Sequence, residues 1–443
     1  MSTPITLSRI LHAGYLLEVE DTAIAFDPIF ENPFSTNCHA FPDLRFDAAQ
    51  IRSLELDAVF ISHHHDDHCS LVSLDHLRRD TPIYLYCQEP ALFELIEALG
   101  FTVQRLVLDL PVKVGPIRVT PRRALDEDVD SMFEIEAEGH RILNVVDSWI
   151  APSTLDRLRA RGPWDLVLWP FQTMRELEVL IPSRPPEPPT IPPEWIEQLQ
   201  LLRPLHLVPS SCQFQMEPWS WYNRAFFPIS YRHFAAELAS ALPNTRLVRL
   251  DPGASVRLSD HRVLPGPELP WIERTTEEEV DYHYDPSLPP QPTAEIAQRF
   301  GPLSVALTER VLDYCARQLP ERYLQLESGS DTYPEKAIRW RLSVFDHRGA
   351  VTHFDYRREG PALTPIQGAG GFDWITEVPL RKLYAALEEG ESLTSMYLRV
   401  AQAPADADVL EDPLIRCLFS GDLAAFQRAQ LRRLATGAAL SRP

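Results

Sequence analysis

The segment ISHHHDDHCS, which begins at Ile61, concentrates four histidines and two aspartates in six positions. It follows the apolar run LDAVF, which is typical of a buried strand. Because alternate residues of an extended segment share a face, several of these side chains can point into one pocket. Imidazole and carboxylate groups are donors that suit Zn²⁺, Fe²⁺ and Mn²⁺. The spacing His63-x-His65-x-Asp67-His68 therefore predicts a divalent-metal site, and a solvated polyhistidine turn is the alternative.

The elements around this segment predict an α/β layered fold. GYLLEVE and TAIAFDP are predicted strands joined by a turn at Glu20-Asp21, and SMFEIEAEGHRILNVVDS is a predicted hairpin that turns at Glu138-Gly139. The predicted strands PIYLYC, WDLVLWP and PLHLVPS alternate with helical segments such as EPALFELIEALG. Strands that recur with helices between them indicate sheets covered by helices.

In this context, H-x-H-x-D-H after an apolar strand resembles the signature of the metallo-β-lactamase superfamily. LHAGYLLEVEDTAIAFDP resembles the opening hairpin of that family, RILNVVDSW resembles its strand that ends in a bridging aspartate, and RPLHLVPSS resembles its closing strand. The resemblance covers roughly Ile5 to Leu264. It implies an αββα sandwich, followed here by a second, smaller α+β domain.

The resemblance also implies a role for each matching residue. The implied ligands of one or two metal ions are His63, His65, Asp67, His68 and Asp147. Asp147 would bridge the two metals, and Asp27 would hold the ligands in place through hydrogen bonds. The implied nucleophile is a metal-activated water, with Asp67 as the catalytic residue, or else Asp147, that orients it or accepts its proton.

Two positions depart from the family pattern. The family expects a histidine within the stretch TPRRALDEDVDSMFEI, where this chain offers Asp126 or Asp128 as substitutes. The last histidine of the family would fall near Ser211, and serine is a poor metal ligand. The centre is therefore incomplete or completed differently. One metal is as compatible with the sequence as two, and iron as compatible as zinc, with manganese also compatible.

Other histidines receive structural interpretations. His12 is predicted to have a core role near the first strand, and His206 a structural role on the closing strand. His140 lies in the predicted hairpin turn and is expected to be exposed.

An aromatic segment follows the closing strand directly. Trp219, Trp221 and Tyr222 lie in SCQFQMEPWSWYNRAFFPISYRHF and are predicted to line a substrate pocket. The alternative is that they pack in the core or between the domains. The segment is similar to one in metallo-β-lactamase-like hydroxylases that act on nucleotide sugars. This similarity favours an oxygenase as an alternative function.

Composition indicates a cytoplasmic protein with two domains. A formal net charge of −21 argues against a nucleic-acid or anionic-membrane partner, and the six scattered cysteines form no CxxC pair. No apolar run reaches the roughly 18 residues that a membrane span needs. We predict a metal-binding domain over residues 1–265, a Pro-rich acidic linker over 266–293, and an α+β domain over 294–443 with no assigned role. A homo-oligomer is compatible with this composition.

From sequence alone, the favoured function is a metal-dependent hydrolase that cleaves an ester, lactone, amide or phosphoester of a small-molecule substrate. The first alternative is a non-haem iron oxygenase with one or two irons, which would act on a small-molecule metabolite through the same ligands. The second alternative is a non-catalytic binding protein with a relic metal site.

Overall fold

The fold is an N-terminal αββα sandwich followed by an α+β domain, as the sequence predicts. A computed structural model describes residues 4–127, 129–182, 188–276, 279–326, 337–367, 370–405, 407–419 and 422–437. Within these residues, two sheets pack face to face with helices on their outer sides, and a third sheet belongs to the C-terminal domain. No helix in the described ranges is both long and apolar enough to cross a membrane.

The N-terminal domain contains the strands of both large sheets and two short pairs. Its strands are β1 (Ile5–Arg9), β2 (Tyr15–Val19), β3 (Thr22–Phe26), β4 (His39–Ala40), β5 (Leu44–Phe46), β6 (Ala58–Ile61), β7 (Ile83–Leu85), β8 (Val103–Arg105), β9 (Val112–Val114), β10 (Ile117–Arg123), β11 (Ser131–Ala137), β12 (His140–Asn144), β13 (Trp164–Trp169), β14 (Pro204–Pro209), β15 (Phe214–Gln215), β16 (Arg246–Leu247), β17 (Ser255–Ser259), β18 (Arg262–Pro265) and β19 (Ile272–Arg274). Its helices are α1 (Ala48–Arg52), α2 (Leu71–Leu74), α3 (Pro90–Ala98), α4 (Pro152–Arg161), α5 (Glu176–Leu180), α6 (Pro193–Leu202), α7 (Tyr222–Ala225) and α8 (Tyr231–Ala241).

Each large sheet is antiparallel on one side and parallel on the other. The first has the order β18-β17-β1-β2-β3-β6-β7-β8, with parallel pairing from β3 to β8. The second has the order β16-β14-β13-β12-β11-β10-β9, with parallel pairing among β12, β13, β14 and β16. Because parallel strands end at the same edge, the segments after β3 and β6 leave the first sheet side by side.

Apolar side chains from both sheets fill the space between them. Phe26 of β3 and Phe60 of β6 stack with ring centroids 5.5 Å apart, and Phe133 of β11 lies 5.2 Å from Phe26 across the interface. All three rings are fully buried. Both predicted hairpins form, since β2 pairs with β3 around Glu20-Asp21 and β11 pairs with β12 around Glu138-Gly139.

The C-terminal domain has one five-stranded sheet, with the strands in the order β22-β21-β20-β23-β24. Its elements are α9 (Thr293–Ala297), α10 (Val305–Asp313), a π-helical turn (Tyr314–Gln318), α11 (Leu319–Gln325), β20 (Ile338–Phe345), β21 (Val351–Glu359), β22 (Ala362–Pro365), β23 (Trp374–Pro379), α12 (Leu380–Glu389), β24 (Arg399–Gln402), α13 (Pro413–Phe419) and α14 (Ala425–Thr436), with 3₁₀ turns at Thr394–Met396 and Val409–Glu411.

The segment that the sequence marks as a linker packs against the N-terminal domain. Strand β19 pairs with β5, and the side chains of Trp271 and Tyr282 are buried. The Tyr282 hydroxyl lies 2.9 Å from the carbonyl oxygen of Cys212 and 2.8 Å from that of Phe214. Strand β19 and the side chains of Trp271 and Tyr282 are therefore packed, while the domain bounds stay a prediction.

Candidate metal centre

The histidine loop (Ser62–Ser70) begins where β6 ends and folds back on itself at once. The backbone N–H of Cys69 donates to the carbonyl oxygen of His65 at 2.9 Å, and that of His68 donates to the same oxygen at 3.1 Å. This tight turn brings the side chains of His63, His65 and His68 together. The ring centroids of His63 and His68 are 4.1 Å apart, and those of His63 and His65 are 4.5 Å apart.

Asp27, at the end of β3, sets the orientation of two of these imidazoles. Its fully buried carboxylate accepts hydrogen bonds from the Ser62 backbone N–H and hydroxyl, each at 2.7 Å, and from His68 Nδ1 at 3.1 Å. Since the Ser62 hydroxyl donates to Asp27, its oxygen accepts from His63 Nδ1 at 2.9 Å. Both imidazoles therefore donate from Nδ1 and turn Nε2 toward the centre, which is the usual orientation of metal-binding histidines.

The first donor group consists of His63, His65 and Asp130. His63 Nε2 lies 2.9 Å from His65 Nδ1 and 3.8 Å from Asp130 Oδ1. Sequence reasoning missed Asp130, which directly precedes β11. Of the two substitutes considered there, Asp126 is exposed and Asp128 lies outside the described residues. The carboxylate thus stands where the family pattern expects a third histidine.

The second donor group consists of Asp67, His68 and Asp147. His68 Nε2 lies 3.0 Å from Asp147 Oδ2 and 3.7 Å from Asp67 Oδ1. The charge of Asp147 also raises the pKa values of His63 and Asp130 in the first group. The structure therefore brings together all five residues that the sequence proposes as ligands.

His12 also reaches this centre, which corrects its interpretation as a purely structural core residue. Its Nε2 lies 3.1 Å from Asp67 Oδ2 and 3.2 Å from His68 Nε2. Its Nδ1 accepts a hydrogen bond from the Cys212 backbone N–H at 3.0 Å. The neutral ring then carries its proton on Nε2, so His12 donates to Asp67 instead of offering a lone pair to a metal. Cys212 follows the closing strand, beside the position where the family pattern places its last histidine.

One contact in each donor group has the spacing of two ligands on a shared metal ion, and the contacts of 3.7 and 3.8 Å lie just above it. Ligand atoms about 2.0–2.2 Å from a common cation stand about 2.8–3.6 Å from one another at tetrahedral or octahedral angles. His63 Nε2 and His65 Nδ1, at 2.9 Å, and His68 Nε2 and Asp147 Oδ2, at 3.0 Å, meet this spacing. Asp147 Oδ1 and Asp130 Oδ1 are buried and have no hydrogen-bond partner within the described ranges. A cation would satisfy both atoms, because buried polar groups normally have a partner.

Burial and mutual charge move the pKa values of these groups in opposite directions. Burial, assisted by nearby His68, lowers the pKa of His63 well below its ordinary value. Burial also lowers the pKa of His68, but the Asp147 and Asp67 carboxylates outweigh burial and raise this pKa well above its ordinary value. Burial opposes ionisation of Asp67 and Asp147 as well, yet His68 holds both pKa values below the usual range. Burial and the neighbouring Asp147 raise the pKa of Asp130 to about 7.

Strained backbone conformations concentrate around the centre. The φ angles of His12, Asp27, Val146 and Cys212 are 52°, 39°, 63° and 60°. Side chains other than glycine rarely adopt this region, and a β-branched residue such as valine is especially disfavoured there. The surrounding contacts must stabilise these conformations.

Arg9 supplies one such set of contacts and was also missed from sequence. The side chain is fully buried at the end of β1. Its guanidinium donates to the carbonyl oxygen of His12 at 2.7 Å, to that of Ser210 at 2.8 Å and to that of Pro209 at 3.1 Å. Arg9 therefore fixes the turn that carries His12 against the end of the closing strand.

The C-terminal helix α14 supports the histidine loop from the outside of the sandwich. Gln427 Nε2 donates to the carbonyl oxygens of His64 and Cys69, both at 2.8 Å. Gln430 donates to the Ser70 hydroxyl at 2.9 Å and accepts from the Leu71 backbone N–H at 2.7 Å. Both glutamines are 1% exposed. The C-terminal domain thus contributes directly to the shape of the loop.

The aromatic segment contacts the C-terminal domain. The ring centroids of Trp219 and Tyr222 lie 5.1 Å and 4.9 Å from that of Tyr397, and Trp221 packs on Tyr222 at 5.1 Å. Two surface cavities of about 380 and 320 Å³ lie around Arg249, and no residue of either donor group lines them. The role of the three aromatic residues in a substrate pocket stays a prediction.

Comparisons with known proteins agree with this architecture. Residues 6–177 match the family model described as a beta-lactamase superfamily domain. A curated relative, the cytidine monophosphate-N-acetylneuraminic acid hydroxylase of Danio rerio, is 30% identical over 158 residues, which are 32% of this chain and 26% of the relative. The chain therefore spans about a quarter of the length of this relative.

Solved structures that resemble this chain include enzymes of two kinds. A metallo hydrolase from the archaeon Ignicoccus hospitalis shares 17% identity over 58% of this chain and 99% of its own, with a TM-score of 0.41. CmlA, a diiron beta-hydroxylase from Streptomyces venezuelae, shares 15% identity over 57% of this chain and 54% of its own, with a TM-score of 0.38. Together with the geometry above, the matched family model identifies residues 6–177 as a beta-lactamase superfamily domain.

Proposed function

We propose that this protein is a non-haem diiron oxygenase that hydroxylates a small-molecule metabolite. The observation that carries the proposal is the first donor group, in which two imidazoles and one carboxylate converge where the family pattern expects three imidazoles. Two histidines and one carboxylate with open positions are the ligand set of many non-haem Fe(II) oxygenases.

The remaining donors suit the same metal. Without His12, which donates to Asp67, the second donor group adds one imidazole and two carboxylates, so the two groups together offer three of each. Cys38 and Cys212 lie near Asp67, but burial raises the pKa of both thiols well above the ordinary value, so they stay protonated at neutral pH. A centre of nitrogen and oxygen donors without thiolate suits iron as well as zinc. The sequence similarity to a protein named as a hydroxylase supports hydroxylation over hydrolysis.

A bound pair of ferrous ions would supply the electrons and the open coordination positions with which O₂ is activated. The overall reaction joins one oxygen atom to a substrate C–H bond and reduces the other to water. It consumes two protons and two electrons per turnover, and we assign the electrons to an external electron-transfer protein.

The residues of the chain hold this centre and leave one side open. Asp27 fixes the rings of His63 and His68, while His12 holds Asp67 through its Nε2 proton. His65 is exposed, and the side chains of Asp67 and Asp147 each retain 22% exposure. A substrate would therefore approach from the side of these three residues.

Hydrolysis, which sequence alone favours, is the second candidate. The same residues would equally hold zinc ions, which supply a metal-activated water for hydrolysis. Reconstitution separates the two candidates. We expect metal-free protein to take up two equivalents of Fe²⁺, and the reduced protein to be oxidised rapidly by O₂ in a stopped-flow absorbance experiment.

The Asp130→His variant is the matched control, because it restores three imidazoles to the first donor group. We expect this variant to bind zinc in preference to iron and to lose the rapid reaction with O₂. If the iron form of the wild type is inert toward O₂ while the zinc form hydrolyses model esters, the hydrolase is the correct function.

A further inference from the structure

A second cluster of candidate ligands lies at the opposite end of the sandwich. We propose that His140, Asp165 and His261, here called the remote cluster, bind a zinc ion. His140 begins β12, Asp165 is the second residue of β13, and His261 lies in the turn between β17 and β18. The donor groups of the metal centre instead lie after the carboxyl ends of β6 and β12 and, in the case of Asp130, directly before β11. The proposal is therefore independent of the function proposed above.

The three side chains converge on one oxygen atom. Asp165 Oδ1 lies 2.5 Å from His261 Nδ1 and 3.6 Å from His140 Nδ1. The other carboxylate oxygen, Oδ2, accepts a hydrogen bond from the Arg141 backbone N–H at 2.8 Å, which directs Oδ1 toward the two rings. The His206 ring donates from Nδ1 to the Asp165 carbonyl oxygen at 3.0 Å and holds the backbone at this position.

His140 provides the observation that points to a ligand. The sequence suggests an exposed histidine in a hairpin turn, but the side chain is only 3% exposed because the β17–β18 hairpin covers it. Its Nδ1 is buried and has no hydrogen-bond partner among the residues that the structure describes. The separation of 3.6 Å from Asp165 Oδ1 is too long for a hydrogen bond. It lies at the upper end of the spacing between two ligand atoms on a shared cation, whereas the 2.5 Å between Asp165 Oδ1 and His261 Nδ1 is a hydrogen-bond distance that would lengthen on metal binding.

The chemistry of the cluster suits zinc with one open position. Two imidazoles and one carboxylate are frequent protein ligands of Zn²⁺, and water completes the tetrahedron. The His261 side chain is 65% exposed, so water reaches the cluster from that side. His140 and Asp165 belong to the second sheet, whereas His261 belongs to a hairpin of the first. The bound ion would therefore join the two sheets at the end remote from the metal centre.

The test uses the full-length chain with the metal centre disabled by His63→Ala and His68→Ala. We expect this background to bind one equivalent of Zn²⁺ in equilibrium dialysis, and to bind Co²⁺ with the visible absorbance of a tetrahedral site. His261→Gln in the same background should lose both signals. His347→Gln, a substitution of another exposed histidine, should retain them.

Zinc should also raise the melting temperature of the background protein and leave that of the His261→Gln variant unchanged. Folding of the latter is checked by circular dichroism, and its exposed position leaves the core intact. Asp165→Asn should reproduce the loss of zinc. If the background binds no zinc, or if His261→Gln and Asp165→Asn bind as much zinc as the background does, the proposed site does not exist.

Discussion

Replacing Gln427 by methionine tests whether the C-terminal domain shapes the metal centre. The side chain keeps a similar volume but loses its two N–H donors, so the buried carbonyl oxygens of His64 and Cys69 lose their partner in α14. An unsatisfied buried polar group costs about 1–3 kcal/mol, so two such groups lower the free energy of unfolding by roughly 2–6 kcal/mol at most. We expect a loss of about 3 kcal/mol, since local relaxation readmits some solvent.

The metal affinity of Gln427→Met shows whether α14 shapes the metal centre. Both carbonyl groups belong to the loop that carries His63, His65 and His68, so the loop loses part of the support that fixes its imidazoles. Loss of contacts just outside the ligands typically weakens metal affinity by about 10–100-fold. We would measure this affinity by competition with a chromophoric chelator, and the unfolding free energy by denaturant titration of the metal-free protein.

Gln325→Met is the matched control, because Gln325 is an exposed glutamine on helix α11 of the same domain. This variant should keep both the wild-type stability and the wild-type affinity. If Gln427→Met lowers the stability but keeps the metal affinity within twofold of the wild type, α14 only stabilises the fold and the proposed coupling is wrong.

Three further predictions concern the ligands themselves. Asp130→Ala should remove one equivalent of bound metal while Asp126→Asn, an exposed neighbour, retains it, and equal metal content in both would exclude Asp130 as a ligand. Asp27→Asn should weaken metal affinity by about 10–100-fold at an unchanged fold, because His63 and His68 lose their orientation; retained affinity would show that the rings are fixed by packing alone. Metal affinity should also rise with pH below about 7, by about tenfold per unit for each proton displaced. The affinity rises with pH because the pKa of Asp130 is raised to about 7. This carboxyl is therefore protonated in the metal-free protein below that pH and ionised above it. Affinity that does not change between pH 5.5 and 7, measured by the same competition assay, would contradict this assignment.

The parts of the site that sequence reasoning could predict are local or follow from the ends of strands. His63, His65, Asp67 and His68 lie within one turn, so their spacing alone places them together. Asp27 follows β3, the parallel neighbour of β6, and the apolar run before it marks that strand.

Asp130 and His12 could not be predicted because their positions depend on contacts distant in sequence. Asp130 is one of four acidic residues in ALDEDVD, and only the start of β11 decides which of them faces His63. His12 reaches the centre because Arg9 ties its turn to Pro209 and Ser210, 200 and 201 residues further along the chain. A single histidine in an apolar segment carries no sign of such a contact.

The contacts between the C-terminal helix α14 and the histidine loop could not be predicted from the sequence either. Gln427 contacts His64 across 363 residues, and a glutamine in FQRAQLRRLA is ordinarily an exposed helix former. Burial of Gln427 and Gln430 becomes apparent only when α14 is placed against α2.

The most direct test of the central claim is the reaction of the reconstituted protein with O₂. Metal-free protein would be loaded with two equivalents of Fe²⁺ under anaerobic conditions, and O₂ consumption would be recorded with an oxygen electrode on mixing. The account predicts about one O₂ consumed per iron pair, with the reaction lost in Asp130→His. Iron-loaded protein that consumes no O₂, together with tighter binding of Zn²⁺ and ester hydrolysis by the zinc form, would contradict it.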